Sequence, residues 1–327
     1  MAVYTNLGAE SLARIIEAFD VGTLTSAKGI AEGVSNSNWL IETRRDSGKL
    51  ARFILTMYED RTDLADLPFF LGLLDHLAAK GCPVPRTIHD RQDRAFSMHD
   101  GKALALIEFL PGVSVSRPTP AQARAVGEAL ASIHLEAADF GQQRANTMRL
   151  GSWKQLLAAC SEEGLASIDE GFGARMHTEL AYLEANWPDA LPRSVIHADL
   201  FPDNVLMLGD EVSGLIDFYF ACNDLAAFDV AITHAAWCFS DDGVRFDPAL
   251  SDALLAGYES RRALTPAERE ALPVLARGAA MRFIATRAYD WLNTPGDALV
   301  TPKNPMAFAR RLEFYASPQS DGIFARG

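Results

Sequence analysis

The sequence has little of several features that mark particular classes of protein. Its four cysteines are scattered without a C-x-x-C pair, so neither a zinc site nor a disulfide framework is expected: Cys82, Cys160, Cys222 and Cys238. There is no apolar run of about 18 residues, and the first residues lack the basic and apolar segments of a signal peptide. These absences favour a cytoplasmic protein with buried free thiols and no membrane partner.

Positive charge is also scarce. Lysine and arginine number 30 against 43 aspartates and glutamates, which gives a net charge of −13. A general nucleic-acid binder is expected to be basic, so no nucleic-acid partner is predicted. The 49% hydrophobic content over 327 residues is enough to bury one large core or two smaller ones.

The most informative segment has the pattern H-x-D-x-x-x-x-N, formed by His197, Asp199 and Asn204, and an apolar stretch ending at Asp217 follows it. The apolar run 194–196 predicts a buried strand before the loop. Segments 205–208 and 214–216, separated by Gly209 and its neighbour, predict a hairpin. Such a hairpin would bring Asn204 close to Asp217.

This order of side chains suits phosphoryl transfer. One aspartate accepts the proton of an attacking hydroxyl, while an asparagine and a second aspartate hold Mg²⁺ on the nucleotide phosphates. Asp199 is therefore the candidate base, and Asn204 and Asp217 are the candidate metal ligands. The alternative is a surface loop whose side chains make local turn hydrogen bonds. The second aspartate at hairpin distance favours the metal site.

The patterns before residue 109 predict a small β-rich lobe. Apolar residues at helical spacing predict a helix near 12–19 and another near 69–77, which ends at Gly81. Strands are predicted at 39–41 and 53–58. The glycine-bearing polar segment 28–38, which includes a predicted loop at 36–38, precedes these strands. A turn at 46–48 predicts a hairpin whose tip could cover phosphates, and a hinge is placed near 108–112.

Residues 110–327 are predicted to form a larger, mostly helical lobe. Capping boxes begin helices at Thr119 and Thr265. Further helical patterns cover 152–160, 174–186, 225–239, 249–260 and 266–290. The catalytic segment and its hairpin are the only strands predicted there. Residues 1–109 and 110–327 would then leave a cleft for a nucleotide.

Four stretches also carry a family resemblance: 29–38, 66–71, 195–205 and 214–224. The chain resembles the protein-kinase-like phosphotransferases of small molecules, which include aminoglycoside and choline kinases. It is most similar to the homoserine kinases of bacterial threonine biosynthesis, from about Tyr4 to about Leu312. The resemblance implies a two-lobed α+β fold of the protein-kinase-like type, ATP, Mg²⁺ and O-phosphorylation of L-homoserine. It also implies that His197 braces Asp217 in the active site. A monomer or homodimer is expected.

The cation that normally contacts the phosphates is not at its usual place. Thr56 occupies the lysine position on the third strand and Phe70 roughly the glutamate position on the next helix, so that ion pair cannot form. Lys28 and Arg61 are candidate replacements, although both could equally be solvated surface residues. The other candidate nucleotide-binding residues offer amides or hydroxyls: Gly29, Gly33, Asn36 and Ser37.

A homoserine pocket needs a cation for the carboxylate and an acceptor for the ammonium group. Arg282 and Arg287, on one predicted helix, are candidates for the carboxylate, because arginine can bind it with two parallel hydrogen bonds. The alternative is an ordinary ion-pair ladder with Asp290. The remaining candidate substrate residues are Asn38, Asn223 and Asp224. Asn36 or Asn38 could touch phosphate or substrate, and Asp224 or Asp229 could instead cap the next helix.

Two other functions stay open at this point. The same chemistry could act on another acceptor, such as choline, an amino sugar, an aminoglycoside or a different amino alcohol. Alternatively, the missing lysine and glutamate could mark a catalytically silent binding protein.

Overall fold

The structure, a computed structural model, describes residues 7–30, 36–59, 63–295 and 301–325. The chain divides into two compact units, one ending at Pro111 and the other beginning at Gly112.

The first unit contains a six-stranded antiparallel sheet. The described helices and strands of this unit are α1 (Ala9–Glu17), β1 (Thr23–Ile30), β2 (Asn36–Arg44), β3 (Leu50–Tyr58), α2 (Leu67–Ala79), β4 (Thr87–Ile88), β5 (Ser97–His99) and β6 (Lys102–Glu108). The strand order in the sheet is β1-β2-β3-β6-β4, with β5 paired to β6.

One face of this sheet packs against α1. Alternate residues of β2 and β3, among them Trp39, Ile41 and Leu55, form a buried cluster with Leu12 and Ile16 of the helix. Because side chains alternate across a strand, the period-two pattern places all three strand residues on the same face. The predicted helices and strands of this unit are confirmed.

The prediction of a loop at 36–38 is wrong, and the polar segment 28–38 lies in strands at both ends. Lys28 and Gly29 lie in β1, paired with Leu40 and Trp39, and Asn36 begins β2. Most of β1 is exposed, so it lacks the hydrophobic alternation that would have predicted a strand. Backbone pairing with β2 forms this edge strand instead.

The second unit is mostly helical. Both predicted capping boxes are present, at Thr119 and Thr265. The described elements of this unit are α3 (Pro120–Glu136), α4 (Leu150–Ala158), α5 (Glu162–Ile168), α6 (Phe172–Asn186), β7 (Arg193–Ile196), β8 (Val205–Leu208), β9 (Glu211–Leu215), β10 (Cys222–Leu225), α7 (Ala226–Trp237), α8 (Pro248–Arg261), α9 (Pro266–Asn293) and α10 (Met306–Tyr315).

The strand predicted at 194–196 is confirmed as β7, but the prediction that it and the hairpin are the only strands of this unit is wrong. Besides the β8–β9 hairpin, β10 pairs antiparallel with β7, with Cys222 opposite Ile196. The segment 222–225 combines buried and polar residues over only four positions, which is too short for a pattern to reveal. This second pair fixes the strand that leads directly into the H-x-D segment.

The four cysteines are buried and free, as predicted. Within the described ranges, no helix is both long and apolar enough to cross a membrane.

Candidate active site

The H-x-D segment follows β7, and the β8–β9 hairpin returns the chain to it. Val205 pairs with Leu215, and the Ile216 amide donates to the Asn204 carbonyl at 3.0 Å. The predicted hairpin is therefore confirmed. It places Asp217 one residue after Ile216, whose backbone is hydrogen-bonded to Asn204.

Asn204 also contacts the predicted base. Its Nδ2 donates to the Asp199 carbonyl oxygen at 2.8 Å and to Asp199 Oδ2 at 3.3 Å. No described residue donates a hydrogen bond to the Asn204 Oδ1. That amide oxygen is thus available as a ligand, while the amide nitrogen orients the carboxylate of Asp199.

Asp217 has an uncommon backbone conformation in the left-handed region, with φ at +66°. This conformation turns the chain at the end of the hairpin, just before the 3₁₀ turn Phe218–Phe220. Surrounding protein and the charges of Asp199 and Asp203 raise the pKa of Asp217 to about 7, although its side chain reaches solvent. A divalent cation would relieve this repulsion.

The donor set fits magnesium. A carboxylate from Asp217 and an amide oxygen from Asn204 are hard oxygen ligands, and Mg²⁺ commonly takes one or two protein ligands together with phosphates and water. No group of three or more His, Cys, Asp or Glu side chains able to hold a metal occurs in the described part of the chain. The two predicted ligands therefore suit a metal bound jointly with a nucleotide.

Burial raises the pKa of Asp199, while the nearby Arg282 guanidinium acts in the opposite direction. A carboxylate with a raised pKa is better able to accept a proton from a hydroxyl. Its role as the base is a prediction that this geometry supports.

A buried carboxylate holds the backbone of the H-x-D segment. Asp229 accepts the His197 amide at 2.7 Å and the Ala198 amide at 2.8 Å. His134, whose other ring nitrogen bonds Tyr258, lies 3.1 Å from the same carboxylate. Burial acts to raise the pKa of Asp229, but these hydrogen bonds hold it below its usual value. Sequence reasoning considered Asp229 only as a helix cap and missed this role.

His197 links the loop to the hairpin. Its Nε2 lies 3.0 Å from the Ile216 carbonyl and donates to it, while its Nδ1 accepts the Asp199 amide at 3.3 Å. Burial lowers the pKa of His197, so the neutral ring with a proton on Nε2 satisfies both contacts. The ring thus connects the backbones on either side of the site, next to Asp217.

Arg282, on α9, lies beneath the same segment. Its side chain is buried, and its Nη1 donates to the Ala198 carbonyl. Ala198 has φ at +63°, a backbone conformation that is rare for alanine. Asp229 accepts a hydrogen bond from the N–H of Ala198, and Arg282 donates one to its carbonyl. The predicted contact of Arg282 with a substrate carboxylate stays a prediction.

Three other candidate substrate residues of the second unit have distinct surroundings. Arg287 is half-buried on α9, with its guanidinium 4.5 Å from the centre of the Phe308 ring. Asn223 accepts the Arg144 amide at 2.8 Å, and Asp224 is fully buried with Asn146 at 2.7 Å. Substrate contacts by these residues stay predictions.

In the first unit, the candidate phosphate-side residues begin β2. Asn36 and Ser37 are buried, and Ser37 Oγ donates to Glu59 Oε1 at 2.6 Å. The Asn38 Oδ1 accepts the hydroxyl of Thr56 at 2.8 Å. Lys28 and Gly29 are exposed on β1, whereas the predictions for Gly33 and Arg61 fall outside the described residues.

A lysine–glutamate pair is nevertheless present in the first unit. Lys102, which begins β6, forms an ion pair with Glu59 just after β3. Sequence reasoning missed it because the two residues are 43 positions apart. Only the β3–β6 register, with Met57 opposite Leu104, brings them together.

Comparison with known proteins agrees with this geometry. The family model described as "Phosphotransferase enzyme family" matches residues 26–264. A homoserine kinase from Azorhizobium caulinodans is 50% identical over 99% of this chain and 100% of its own length. One from Xanthobacter autotrophicus is 48% identical over 98% of each chain. The chain belongs to the homoserine kinases of the phosphotransferase enzyme family.

Solved structures agree at the level of the fold. An amicoumacin kinase in complex with AMP-PNP, Ca²⁺ and Ami superposes with a TM-score of 0.70 at 14% identity, covering 95% of this chain and 94% of that one. An aminoglycoside phosphotransferase from Alicyclobacillus acidocaldarius gives 0.65 at 15% identity, covering 98% and 95%. These matches confirm the predicted protein-kinase-like α+β fold, with a β-rich first unit and a helical second one.

Proposed function

We propose that this protein transfers the γ-phosphoryl group of ATP to the side-chain hydroxyl of L-homoserine and releases O-phospho-L-homoserine and ADP. The observation that carries the proposal is the Asp199–Asn204 contact beside Asp217, in a chain about half identical to homoserine kinases over its full length. Kinase-type transfer uses these three side chains in these positions.

In the proposed reaction, the hydroxyl oxygen of the acceptor forms a bond to the γ-phosphorus, and the bond to the β–γ bridging oxygen breaks. The hydroxyl proton passes to a carboxylate oxygen of Asp199. Asn204 keeps that carboxylate in place through its Nδ2 hydrogen bonds. Magnesium held by the Asn204 amide oxygen and Asp217 would neutralise charge on the phosphates.

Arg282 enters the proposal as a positioning residue. Its hydrogen bond to the Ala198 carbonyl lies one residue before the base, and its charge acts to lower the pKa of Asp199. These observations support a role in holding the loop and keeping Asp199 ionised, in place of the substrate contact predicted from the sequence.

The proposal also covers the location and the oligomeric state of the enzyme. We propose that it acts in the cytoplasm as a monomer or homodimer. The nucleotide contacts of Lys28, Gly29, Asn36 and Ser37 stay predictions. The described residues give no specific support to a different acceptor or to a catalytically silent protein.

A coupled ADP-release assay tests the proposal. Wild-type enzyme with Mg-ATP is offered L-homoserine, choline, L-serine or kanamycin, and turnover is expected with L-homoserine. Asp199→Asn should lower kcat by about 1,000-fold with little change in ATP affinity, because the amide cannot accept the proton. Asp210→Asn, in the exposed hairpin turn, is the matched control and should behave as wild type. Turnover with another acceptor only would overturn the substrate, and a near-wild-type kcat in Asp199→Asn would remove its role as the base.

A further inference from the structure

Two aromatic rings beside the base hold a group of cations. Phe201 lies two residues after Asp199, and its ring centre is 6.0 Å from that of Phe308 on α10. The Arg287 guanidinium carbon lies 4.5 Å from the Phe308 ring centre and 6.0 Å from that of Phe201. Lys303 Nζ lies 5.8 Å from the Phe201 ring centre. We call Arg287, Lys303 and these two rings the cation site.

A third cation beside the cation site is already used by the fold. Arg311 stacks 4.4 Å from the Phe308 ring centre, on the same helix. Its Nη1 donates to the Ala307 carbonyl and its Nη2 to the Ser240 carbonyl, both at 3.0 Å. Arg311 is buried and adds positive charge next to Arg287 without having to bind a ligand itself.

Arg287 differs from Arg311 in this respect. Its guanidinium makes no hydrogen bond and no ion pair with any described residue, although the side chain is half-buried. Ring contacts of this kind are weak and satisfy none of the N–H donors of the guanidinium. A half-buried charge with no hydrogen-bonded partner is costly, so this guanidinium is suited to an anion that the protein itself does not supply.

The charge around Arg287 agrees with that conclusion. Burial and the neighbouring charge of Arg311 lower the pKa of Arg287 to about 10, while Asp199 and Asp203 oppose the change without reaching ion-pair distance in the structure. Lys303 lies 3.4 Å from Asp203 Oδ2, but both side chains are about two-thirds exposed. An exposed pair of this kind is weak, so Lys303 can turn to a bound anion at little cost.

We propose that the cation site binds the α-carboxylate of an amino-acid acceptor, with Arg287 as the main contact and Lys303 as the second. This inference rests on the proposed function and deepens it, because it names the group by which the enzyme tells L-homoserine from amino alcohols. Phe201 follows Asp199 so closely that an acceptor whose hydroxyl faces the base can place its carboxylate against the rings. Arginine suits this task because its planar fork matches both carboxylate oxygens.

The test compares two acceptors that differ only in the carboxylate. L-homoserine and 3-aminopropan-1-ol share the hydroxyl, the chain and the amino group. Arg287→Gln should lower kcat/KM for L-homoserine by about 100-fold and leave kcat/KM for 3-aminopropan-1-ol within about threefold. For L-homoserine, the kcat/KM of Arg287→Lys should fall between those of wild type and Arg287→Gln, because lysine keeps the charge but lacks the planar guanidinium. Arg261→Gln, an exposed arginine on α8, is the charge-matched control.

Several outcomes would overturn the inference. An equal loss with both acceptors would show that Arg287 supports the fold or the base instead. A raised KM for ATP with an unchanged KM for L-homoserine would show that the anion is a nucleotide phosphate. If Arg287→Gln does not fold, Lys303→Gln replaces it, since Lys303 is exposed. Lys303→Gln should lower kcat/KM about fivefold for L-homoserine and leave it unchanged for 3-aminopropan-1-ol. An equal loss with both acceptors would contradict the inference.

Equilibrium binding separates this inference from the proposed function. If wild-type enzyme does not phosphorylate L-homoserine, the proposed function fails, and calorimetric titration then decides the cation site. Tighter binding of L-homoserine than of 3-aminopropan-1-ol, lost in Arg287→Gln, would support the site even then. Equal binding of the two compounds by wild-type enzyme would overturn it.

Discussion

Two polar networks of this protein, one in each unit, differ in how far they are exposed to solvent. In the first, the pair of Glu59 and Lys102 lies at the ends of strands, and the lysine side chain is 31% exposed. In the second, Asp229 and Arg282, which hold the catalytic segment, are 0% and 2% exposed. Because buried polar groups depend entirely on their protein partners, the second network should be more sensitive to single substitutions than the first.

The largest expected effect is in the buried network. Asp229→Asn replaces one carboxylate oxygen by an NH₂ group, which cannot accept a hydrogen bond from the backbone N–H of His197 or Ala198. We expect the free energy of unfolding to fall by about 3 kcal/mol and kcat to fall with it. Urea unfolding and steady-state kinetics measure the two effects. A stability loss below about 1 kcal/mol would show that the difference between the two networks is smaller than their burial indicates.

Arg282 of the second unit should affect catalysis through the loop that it holds. Arg282→Met should lower kcat by about 100-fold and leave the KM for L-homoserine within about twofold, since the change loosens the loop and not the substrate site. The acid limb of the kcat–pH profile should move to higher pH, because the charge that lowers the pKa of Asp199 is gone. Arg282→Lys should restore part of both. A raised KM with unchanged kcat would instead support the substrate contact predicted from the sequence.

One histidine in each unit gives the stability a pH dependence, and the two dependences have opposite signs. Burial lowers the pKa of His234, in the second unit, to about 3 from 6.5. Between those values the unfolded chain binds a proton that the folded chain does not, so stability is present above pH 6.5 and falls with pH by up to about 1.4 kcal/mol per unit. In the first unit, a hydrogen bond to Asp75 raises the pKa of His89, which stabilises the fold at low pH and is lost as pH rises. That residue is 37% exposed, so its contribution is small.

Urea unfolding of the full chain from about pH 4 to pH 7 checks this pair of effects. His234→Gln should flatten the decline in stability toward acid pH, and His89→Gln should leave it nearly unchanged or slightly steeper. A decline that is identical in wild type and His234→Gln would contradict the assignment.

The geometry of the H-x-D segment and its hairpin could be predicted from the sequence because it is local. The spacing of His197, Asp199 and Asn204 and the return of the chain at Asp217 depend on one strand, one loop and one hairpin. Periodicity and turn residues report such short-range features directly.

What the sequence did not predict depends on contacts between distant segments. Lys102 meets Glu59 only through sheet register, and Asp229 meets His197 only when α7 packs beneath the loop. The edge strand β1 carries no hydrophobic alternation, and β10 is only four residues long. Neither local propensity nor spacing encodes these tertiary contacts.

Phosphorus NMR of wild-type enzyme with Mg-ATP and L-homoserine can follow the phosphoryl group from the nucleotide to the acceptor. We expect a new phosphomonoester signal coupled to the side-chain methylene protons of homoserine, which grows over many turnovers as ADP accumulates. ATP that stays intact, or that yields only inorganic phosphate while L-homoserine is unchanged, would contradict the proposed function.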